Sequence, residues 1–394
     1  MTRPVIIGAS YNKEKNLAQK VRKHYKKTTQ PGRVPEVAFW RGKHLFSDFL
    51  KPNFLINELP VLAYTAIEPV LNSQSELVVV GDEVSAAITR SMSNYFEREI
   101  IAGYEPSAPT MHGTMQAGLD YLRRPDEFVF LASDLIFNQA SKYTTQELTA
   151  DVHLRLPSKQ LIYPQAGAGD WPLNRQFQFP LLVNGEEHDC KEPNVYVFKN
   201  KKRLHALTGA AFAARKGCDT RAQLVLHAAK QVVMNTPVSS YWQLVKSAGQ
   251  EVVHARTTKQ LSGRVGLSTQ PVLDYLASIG LETSISLSDD FGDVFDVDSA
   301  WDLALANHQL ATNPYLHSHA DALEAYKQDE MPRLRERFKQ LRPEVFAQDI
   351  NTYVGLAGQP PLLTSDARVR EEYVERYSLN DEVLPLRALI PVKQ

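Results

Sequence analysis

Short buried strands alternate with predicted helices between residues 36 and 137, and this alternation limits the folds open to the chain. The clearest strands are Glu76–Gly81, Ile100–Tyr104 and Glu127–Ala132, and the segments between them, Glu83–Glu99 and Thr114–Arg124, are predicted helices. Apolar runs bounded by polar residues are typical of parallel strands that are covered on both faces. The pattern therefore predicts an α/β fold with a mostly parallel twisted sheet and helices on both faces.

The domain organisation follows from length and from a change of pattern. The 394 residues suffice for one large domain or two ordinary ones. Strand and helix patterns continue to about residue 310, and the sequence beyond is charged and helix-prone at Ala320–Leu341. We predict a main domain over residues 1–310 and a mainly helical C-terminal extension over residues 311–394. Whether the extension packs on a second copy in a homo-oligomer stays open.

Composition and charge exclude several classes of partner. A net charge of −1 gives no overall attraction to nucleic acid or to an anionic membrane. The N-terminal apolar run is too short for a signal peptide, and no stretch approaches the roughly 20 apolar residues of a membrane span. Two cysteines form no disulfide framework or zinc motif. We therefore expect a cytoplasmic protein without nucleic-acid or membrane partners.

The strand Glu127–Ala132 is followed closely by an acidic residue, Asp134. Open α/β sheets bind ligands at the carboxyl ends of their strands. A carboxylate there suits Mg²⁺, which prefers oxygen ligands and shares its shell with substrate phosphates. A lone aspartate is equally explained by a cap or a turn, so the other motifs decide its interpretation.

Two motifs lie upstream of Asp134. Lys51-Pro52 precedes Pro60 and an apolar helical stretch, and a lysine near a helix N-terminus can meet a phosphate. His112-Gly113-Thr114 opens a helix, where the glycine permits close approach to a base or ribose and Thr114 can cap the helix or contact the ligand. An exposed lysine and a simple helix cap are the alternatives.

The segment Phe295–Leu303, FDVDSAWDL, lies near the end of the main domain. We predict a strand over Val294–Val297, which would place the side chains of Asp296 and Asp298 on one face. Ser299 would then cap the following helix. Either aspartate could serve as a second metal ligand, and ordinary capping is the alternative.

Taken in order, these motifs resemble the nucleotidyltransferases of the GT-A-like, Rossmann-related fold. That group includes sugar-1-phosphate nucleotidyltransferases and molybdenum-cofactor guanylyltransferase-like proteins. The resemblance covers roughly residues 1–310 and rests on Lys51-Pro52, Gly113-Thr114, Asp134 and the late DVDSAWDL. It implies a GT-A-like nucleotidyltransferase fold for the main domain.

The resemblance also implies roles for individual residues. Lys51 would contact phosphate, and Gly113 and Thr114 would lie beside the base or ribose. Asp134 would bind Mg²⁺, with Asp298 as the second ligand and Asp296 as the alternative. In the segment KEPNVYVF, Lys191, Glu192 and Asn194 resemble residues that contact the phosphorylated acceptor, and a plain strand entrance is the other interpretation.

The sequence departs from the family at its glycine-rich phosphate loop, which is not intact. The segment Gly8–Ser10 after the first strand, which includes Ala9, is one candidate and would place a long insertion before Lys51. Gly42-Lys43 forms the other and keeps the family's spacing to the catalytic lysine. The arginine of that loop has no assigned counterpart, although Arg41, Lys43 or His44 could replace it.

We therefore predict a Mg²⁺-dependent nucleotidyltransferase that uses an NTP and a small phosphorylated acceptor and releases pyrophosphate. Lys51, Asp134 and Asp298 are the predicted catalytic residues. One alternative is a glycosyltransferase of the related fold that uses a nucleotide-sugar. The other is an inactive nucleotide-binding homologue, which the incomplete phosphate loop motivates.

Overall fold

The computed structural model describes residues 2–9, 52, 55–104, 111–162, 179–183, 185–191, 193–200, 202, 204, 267–278, 280–297, 306, 310 and 313–341. In these ranges the strands are β1 Val5–Ala9, β2 Leu55–Ile56, β3 Leu59–Pro60, β4 Leu77–Gly81, β5 Ile101–Tyr104, β6 Glu127–Ala132, β7 Val152–Pro157, β8 Phe179–Val183, β9 Glu186–Cys190, β10 Val195–Lys199, β11 Leu267–Ser268 and β12 Thr283–Ser288. The helices are α1 Val61–Asn72, α2 Glu83–Tyr95, α3 Met111–Tyr121, α4 Lys142–Thr145, α5 Lys159–Ile162, α6 Gln270–Ser278 and α7 Ala320–Leu341.

A seven-stranded sheet in the order β12-β7-β10-β6-β1-β4-β5 forms the centre of the fold. Neighbouring strands are parallel except at β10, which runs antiparallel to both β6 and β7. Strand β1 lies between β6 and β4, and the chain builds this half of the sheet through the alternation β4-α2-β5-α3-β6. The predicted α/β class with a mostly parallel sheet is confirmed.

Apolar residues on successive positions of the central strands pack on opposite faces of the sheet. In β1, Val5 and Ile7 belong to a core that includes residues of α1, α2 and α7, whereas Ile6 belongs to a second core that includes residues of α3. Strand β6 divides in the same way, with Val129 on the first face and Phe130 on the second. Both faces are therefore covered, which explains why these strands contain uninterrupted apolar runs.

A tight hairpin introduces α1. Strands β2 and β3 pair antiparallel through Asn57 and Glu58, whose φ angles are 46° and 70°. Positive φ at both central residues is typical of the two-residue turn that matches the twist of a hairpin. Pro60 is the N-cap residue of α1, where its lack of an N–H leaves one fewer donor to satisfy.

Helix α7 matches the helix predicted at Ala320–Leu341. Its residues Leu323, Tyr326 and Met331 are buried in the same core as β1 and α1. Tyr95 of α2 donates a hydrogen bond to Asp329 at 2.9 Å. The division of the chain at residue 310 stays a prediction, and residues 342–394 lie outside the described part.

The strand predicted at Val294–Val297 is wrong. A short 3-10 helix, Phe291–Asp293, precedes these residues, which belong to no strand. Their backbone groups bind partners outside any strand ladder: the carbonyl oxygen of Val294 accepts from Lys191 Nζ at 2.8 Å, and Val297 N–H donates to Asp134 O at 3.1 Å. The pleat argument for Asp296 and Asp298 therefore fails. No helix of the described ranges is long and apolar enough to cross a membrane.

Helix α3 packs against β1 at Gly118, where there is no room for a larger side chain. A Cβ atom placed on Gly118 would lie 2.5 Å from Ile6 Cγ2, which is a rigid branch of a buried side chain. Gly118→Ala should destabilise the protein by about 1–3 kcal/mol, because this overlap outweighs the roughly 1 kcal/mol gain in helix propensity. Urea unfolding measures the change, with the exposed Asp120→Ala of the same helix as the control. Equal or greater stability of the Gly118 variant would contradict this packing.

Candidate functional site

The carboxyl end of β6 carries the aspartate singled out from the sequence. Asp134 follows the strand by two residues, and only 9% of its surface is exposed. Thr65 Oγ1 of α1 donates to Ser133 O at 2.8 Å, and Val297 N–H donates to Asp134 O. Hydrogen bonds from two distant segments therefore fix the backbone that carries the carboxylate. Asp134 lies where an open sheet would bind a ligand.

Gly8 and Thr114 meet beside this strand end. Gly8 pairs with Ala132 of β6 and Val80 of β4, and Thr114 in the first turn of α3 is fully buried. A Cβ on Gly8 would lie 2.7 Å from Phe130 Cζ and 3.5 Å from Thr114 Cγ2. Glycine is therefore required here by packing, whatever ligand role the position has. Gly113 is partly exposed in the same helical turn, whose backbone N–H groups can attract anions.

On the other side of β6, the buried side chains of Lys191 and Asp296 form a cluster with the partly buried Asn194. Lys191 Nζ lies 2.8 Å from Asp296 Oδ2, and the two side chains are 4% and 7% exposed. Asn194 Nδ2 donates to the same Asp296 oxygen at 3.3 Å. The backbone of this cluster joins the sheet, because Ala132 N–H donates to Asn194 O at 3.2 Å.

The structure thus gathers the described candidates at one edge of the sheet. Gly8, Ala9, Gly113 and Thr114 lie on the side of β1, and Lys191, Asn194 and Asp296 lie on the side of β10. Asp134 lies between the two groups. The remaining candidates lie outside the described residues: Ser10, Gly42, Lys43, Lys51, Glu192 and Asp298.

The fit of these carboxylates to Mg²⁺ differs from residue to residue. Asp134 presents a hard oxygen donor at the sheet edge, which suits such a cation. Asp296 Oδ2 already receives an ammonium and an amide donor. A cation at that oxygen would face the positive charge of Lys191, which counts against Oδ2 as a metal ligand. Within the described ranges, no group of three or more His, Cys, Asp or Glu is placed to hold a metal.

A second buried network, which the sequence interpretation missed, supports the segment that carries Asp296. Tyr143 donates to Asp293 at 3.0 Å, and Ser288 donates to Asp293 at 2.6 Å. Burial, assisted by the neighbouring Asp290, raises the pKa of Asp293 from 3.8 to about 6. The only sequence signal was the density of aspartates in SDDFGDVFDVD. That signal could not identify which carboxylate is buried.

A serine–histidine pair also lies near the acceptor side, and sequence interpretation had found no such pair. Ser158, just after β7, has its Oγ 2.9 Å from His188 Nδ1 on β9. Ser158 is fully buried, and its hydroxyl links the small sheet to the large one. Burial raises the pKa of Cys190 to about 12, which leaves that thiol a poor nucleophile.

No family model and no curated protein matches the sequence. Solved structures with weak similarity include the three that follow. A hypothetical transferase from Thermus thermophilus has a TM-score of 0.42 and 12% identity over 77% of this chain and 100% of its own. The inositol-1-phosphate CTP transferase from T. maritima has a TM-score of 0.36 and 12% identity over 78% and 96%.

The third is 4-diphosphocytidyl-2C-methyl-D-erythritol synthase from Anaerococcus prevotii, with a TM-score of 0.37 and 9% identity over 79% and 98%. The CTP transferase belongs to the class that the sequence motifs resemble. At these scores and identities, the likeness transfers no residue role to this chain.

The Lys191–Asp296 pair should be strongly coupled in stability. Lys191→Met leaves a buried carboxylate without its cation, and Asp296→Asn leaves a buried ammonium without its anion. Each single variant should lower the free energy of unfolding by about 3–5 kcal/mol. The double variant should cost roughly 2 kcal/mol less than the sum of the two single changes. Urea unfolding of the four proteins measures this coupling.

The exposed Arg124–Asp120 pair, 2.6 Å apart, is the control, and its coupling should stay below about 1 kcal/mol. Additive effects at Lys191 and Asp296 would contradict a buried ion pair.

Asp293 should make stability depend on pH. Its folded-state pKa of about 6 exceeds the ordinary value of 3.8, so the folded protein holds a proton that the unfolded chain releases. The free energy of unfolding should therefore fall as pH rises from about 4 to 6, by at most about 3 kcal/mol from this group. Asp293→Asn should remove this component, whereas Asp289→Asn, at a carboxylate that is 63% exposed, should retain it. Urea unfolding across that pH range measures the free energy of unfolding of wild type and both variants. The same dependence of this free energy on pH in all three proteins would contradict the assignment to Asp293.

Proposed function

We propose that this protein is a nucleotidyltransferase that moves an NMP unit from an NTP to a small phosphorylated acceptor and releases pyrophosphate. The observation that carries the proposal is the convergence of the described motif residues on one edge of the sheet. Residues as distant in sequence as Gly8 and Asp296 lie on either side of Asp134 at the end of β6. The sequence resemblance requires this arrangement, because it assigns these residues to one nucleotide and acceptor site.

The nucleotide would bind on the β1 side. Gly113 and Thr114 would lie beside its base or ribose, and Gly8 and Ala9 would border its phosphates. The first turn of α3 supports this assignment, since helix N-terminal N–H groups favour anions. Gly42, Lys43 and Lys51 are proposed to contact the triphosphate. The two lysines would supply positive charge and Gly42 a backbone N–H group, and both would stabilise the negative charge of the transition state.

The acceptor would bind on the β10 side, through Lys191 and Asn194. An oxygen of its phosphate attacks the α-phosphorus, forming a new P–O bond. The bond from the α-phosphorus to the bridging oxygen breaks, and its electron pair leaves with pyrophosphate. This chemistry depends on alignment and on charge stabilisation more than on a protein nucleophile, which agrees with the burial of Ser158 and Cys190.

Asp134 and Asp298 are proposed to hold Mg²⁺, which would neutralise charge on the triphosphate. Asp134 would contribute its carboxylate. The backbone around it is held by hydrogen bonds from Thr65 and Val297. Cytoplasmic location and homo-oligomerisation stay predictions of the sequence.

Asp134→Asn should reduce pyrophosphate release by at least about 100-fold, because the variant loses the negative charge that binds the cation. The assay pairs each of the four common NTPs with a panel of sugar phosphates and polyol phosphates in the presence of Mg²⁺. Asp126→Asn, at the exposed amino end of the same strand, is the matched control and should keep full activity. Thermal unfolding of both variants establishes that the fold is intact.

Normal turnover by the folded Asp134 variant would refute the assigned role. Hydrolysis of a nucleotide-sugar without any NTP reaction would instead support a glycosyltransferase. NTP binding in calorimetry without turnover for any acceptor would support an inactive nucleotide-binding homologue.

A further inference from the structure

We infer that Asp296 is a positioning residue for Lys191, and that the two together form the phosphate-binding side of the acceptor subsite. The inference deepens the proposed function and rests on it. It is the alternative to a role of Asp296 as a metal ligand, and the kinetic experiment below separates the two roles.

The hydrogen-bond capacity of the Lys191 ammonium is the first argument. An ammonium group has three donors. One is directed to Asp296 Oδ2 and another to Val294 O, both at 2.8 Å. In the described part of the chain no third acceptor contacts Nζ. Two fixed donors leave the third in a defined direction, and an anionic ligand such as a phosphate oxygen can accept from it.

The backbone on both sides of the ion pair is also fixed. Lys191 N–H donates to Pro157 O at 3.0 Å, at the end of β7. Val294 and Asp296 follow the short 3-10 helix at Gly292, where an added Cβ would lie 2.0 Å from Phe137 O. Only glycine permits this approach, so the turn is packed directly on the loop after β6. The ammonium is therefore held between two anchored segments.

The charges of the pair explain why Asp296 serves Lys191 better than it serves a cation. At 2.8 Å and almost without solvent contact, Asp296 balances the Lys191 charge, which would otherwise be costly to bury. Asp296 also accepts from Asn194, the second predicted acceptor-binding residue. A single carboxylate thereby orients both side chains that are proposed to bind the acceptor.

Steady-state kinetics with the best acceptor from the pyrophosphate assay test the positioning role. Asp296→Asn should raise the acceptor KM by roughly tenfold or more, because an uncharged partner no longer fixes the ammonium. The KM for NTP and the Mg²⁺ concentration at half-maximal rate should stay within about twofold of wild type. Asp289→Asn, an exposed carboxylate close in sequence, is the control and should change none of these values.

An unchanged acceptor KM in the Asp296 variant would overturn the inference. A shift in its Mg²⁺ requirement would overturn it too, because Asp296 would then act as a metal ligand. A variant that fails to fold is replaced by Asp296→Glu, which keeps the charge and should retain part of the acceptor affinity.

Nitrogen-15 NMR of lysine side chains tests the pair without any turnover. The Lys191 ammonium signal is assigned as the one that is missing in Lys191→Met. In wild type the protons of this ammonium should exchange slowly with water, and its signal should shift on titration with inorganic phosphate. Asp296→Asn should broaden the signal and weaken the phosphate response. A wild-type signal that does not shift when phosphate is added would overturn the inference. If the NMR result is as expected but no NTP and acceptor react, the proposed function fails and the phosphate-binding pair stands.

Discussion

The backbone of the loop that follows β6 is the constraint on which the candidate site depends. Its carbonyl groups are held by three segments that are far apart in sequence: Ser133 O by Thr65 of α1, Asp134 O by the N–H of Val297, and Ile136 O by His317 Nε2 at 2.7 Å. Buried carbonyl groups need such partners, since an unpaired one costs about as much as a lost hydrogen bond. Burial lowers the pKa of His317 to about 4, so this histidine stays neutral near pH 7 and keeps its Nε2 hydrogen for Ile136. The backbone that carries Asp134 is thus held by α1, by the segment after β12 and by the residues that lead into α7.

The two sides of the site are built from different chemistry. On the β1 side, the residues are small and uncharged, and close packing of Gly8 against Phe130 and Thr114 fixes the backbone. On the β10 side, the buried ion pair of Lys191 and Asp296 lies beside the partly buried amide of Asn194. A buried ion pair contributes little net stability compared with apolar residues of similar volume, because both charges must leave water. Stability alone therefore gives a weak reason for Lys191 and Asp296, whereas recognition of an anionic group gives a direct one.

The strands and helices could be predicted because their signals are local. Glu127–Ala132 is an uninterrupted apolar run between polar residues, and the structure gives a strand with the same bounds. Val294–Val297 is also mostly apolar, yet it is not a strand, because Lys191 and Asp134 bind its backbone groups. Contacts such as Tyr143 with Asp293 join residues 150 positions apart. Nothing in one sequence indicates which of the clustered aspartates is buried, since that depends on how β7, β12 and the loop after β6 meet.

The same long-range geometry changes the meaning of the late aspartates. From the sequence, Asp296 and Asp298 were interchangeable oxygen donors two residues apart, and only resemblance ranked them. In the fold, Asp296 is committed to a cation that the protein itself supplies, the Lys191 ammonium. If Asp134 holds a metal, as proposed, Asp298 is the second carboxylate that the motif order favours. Charge supports this division, because Asp296 balances the Lys191 ammonium, which leaves Asp298 as the proposed ligand of the metal that would bind the nucleotide phosphates.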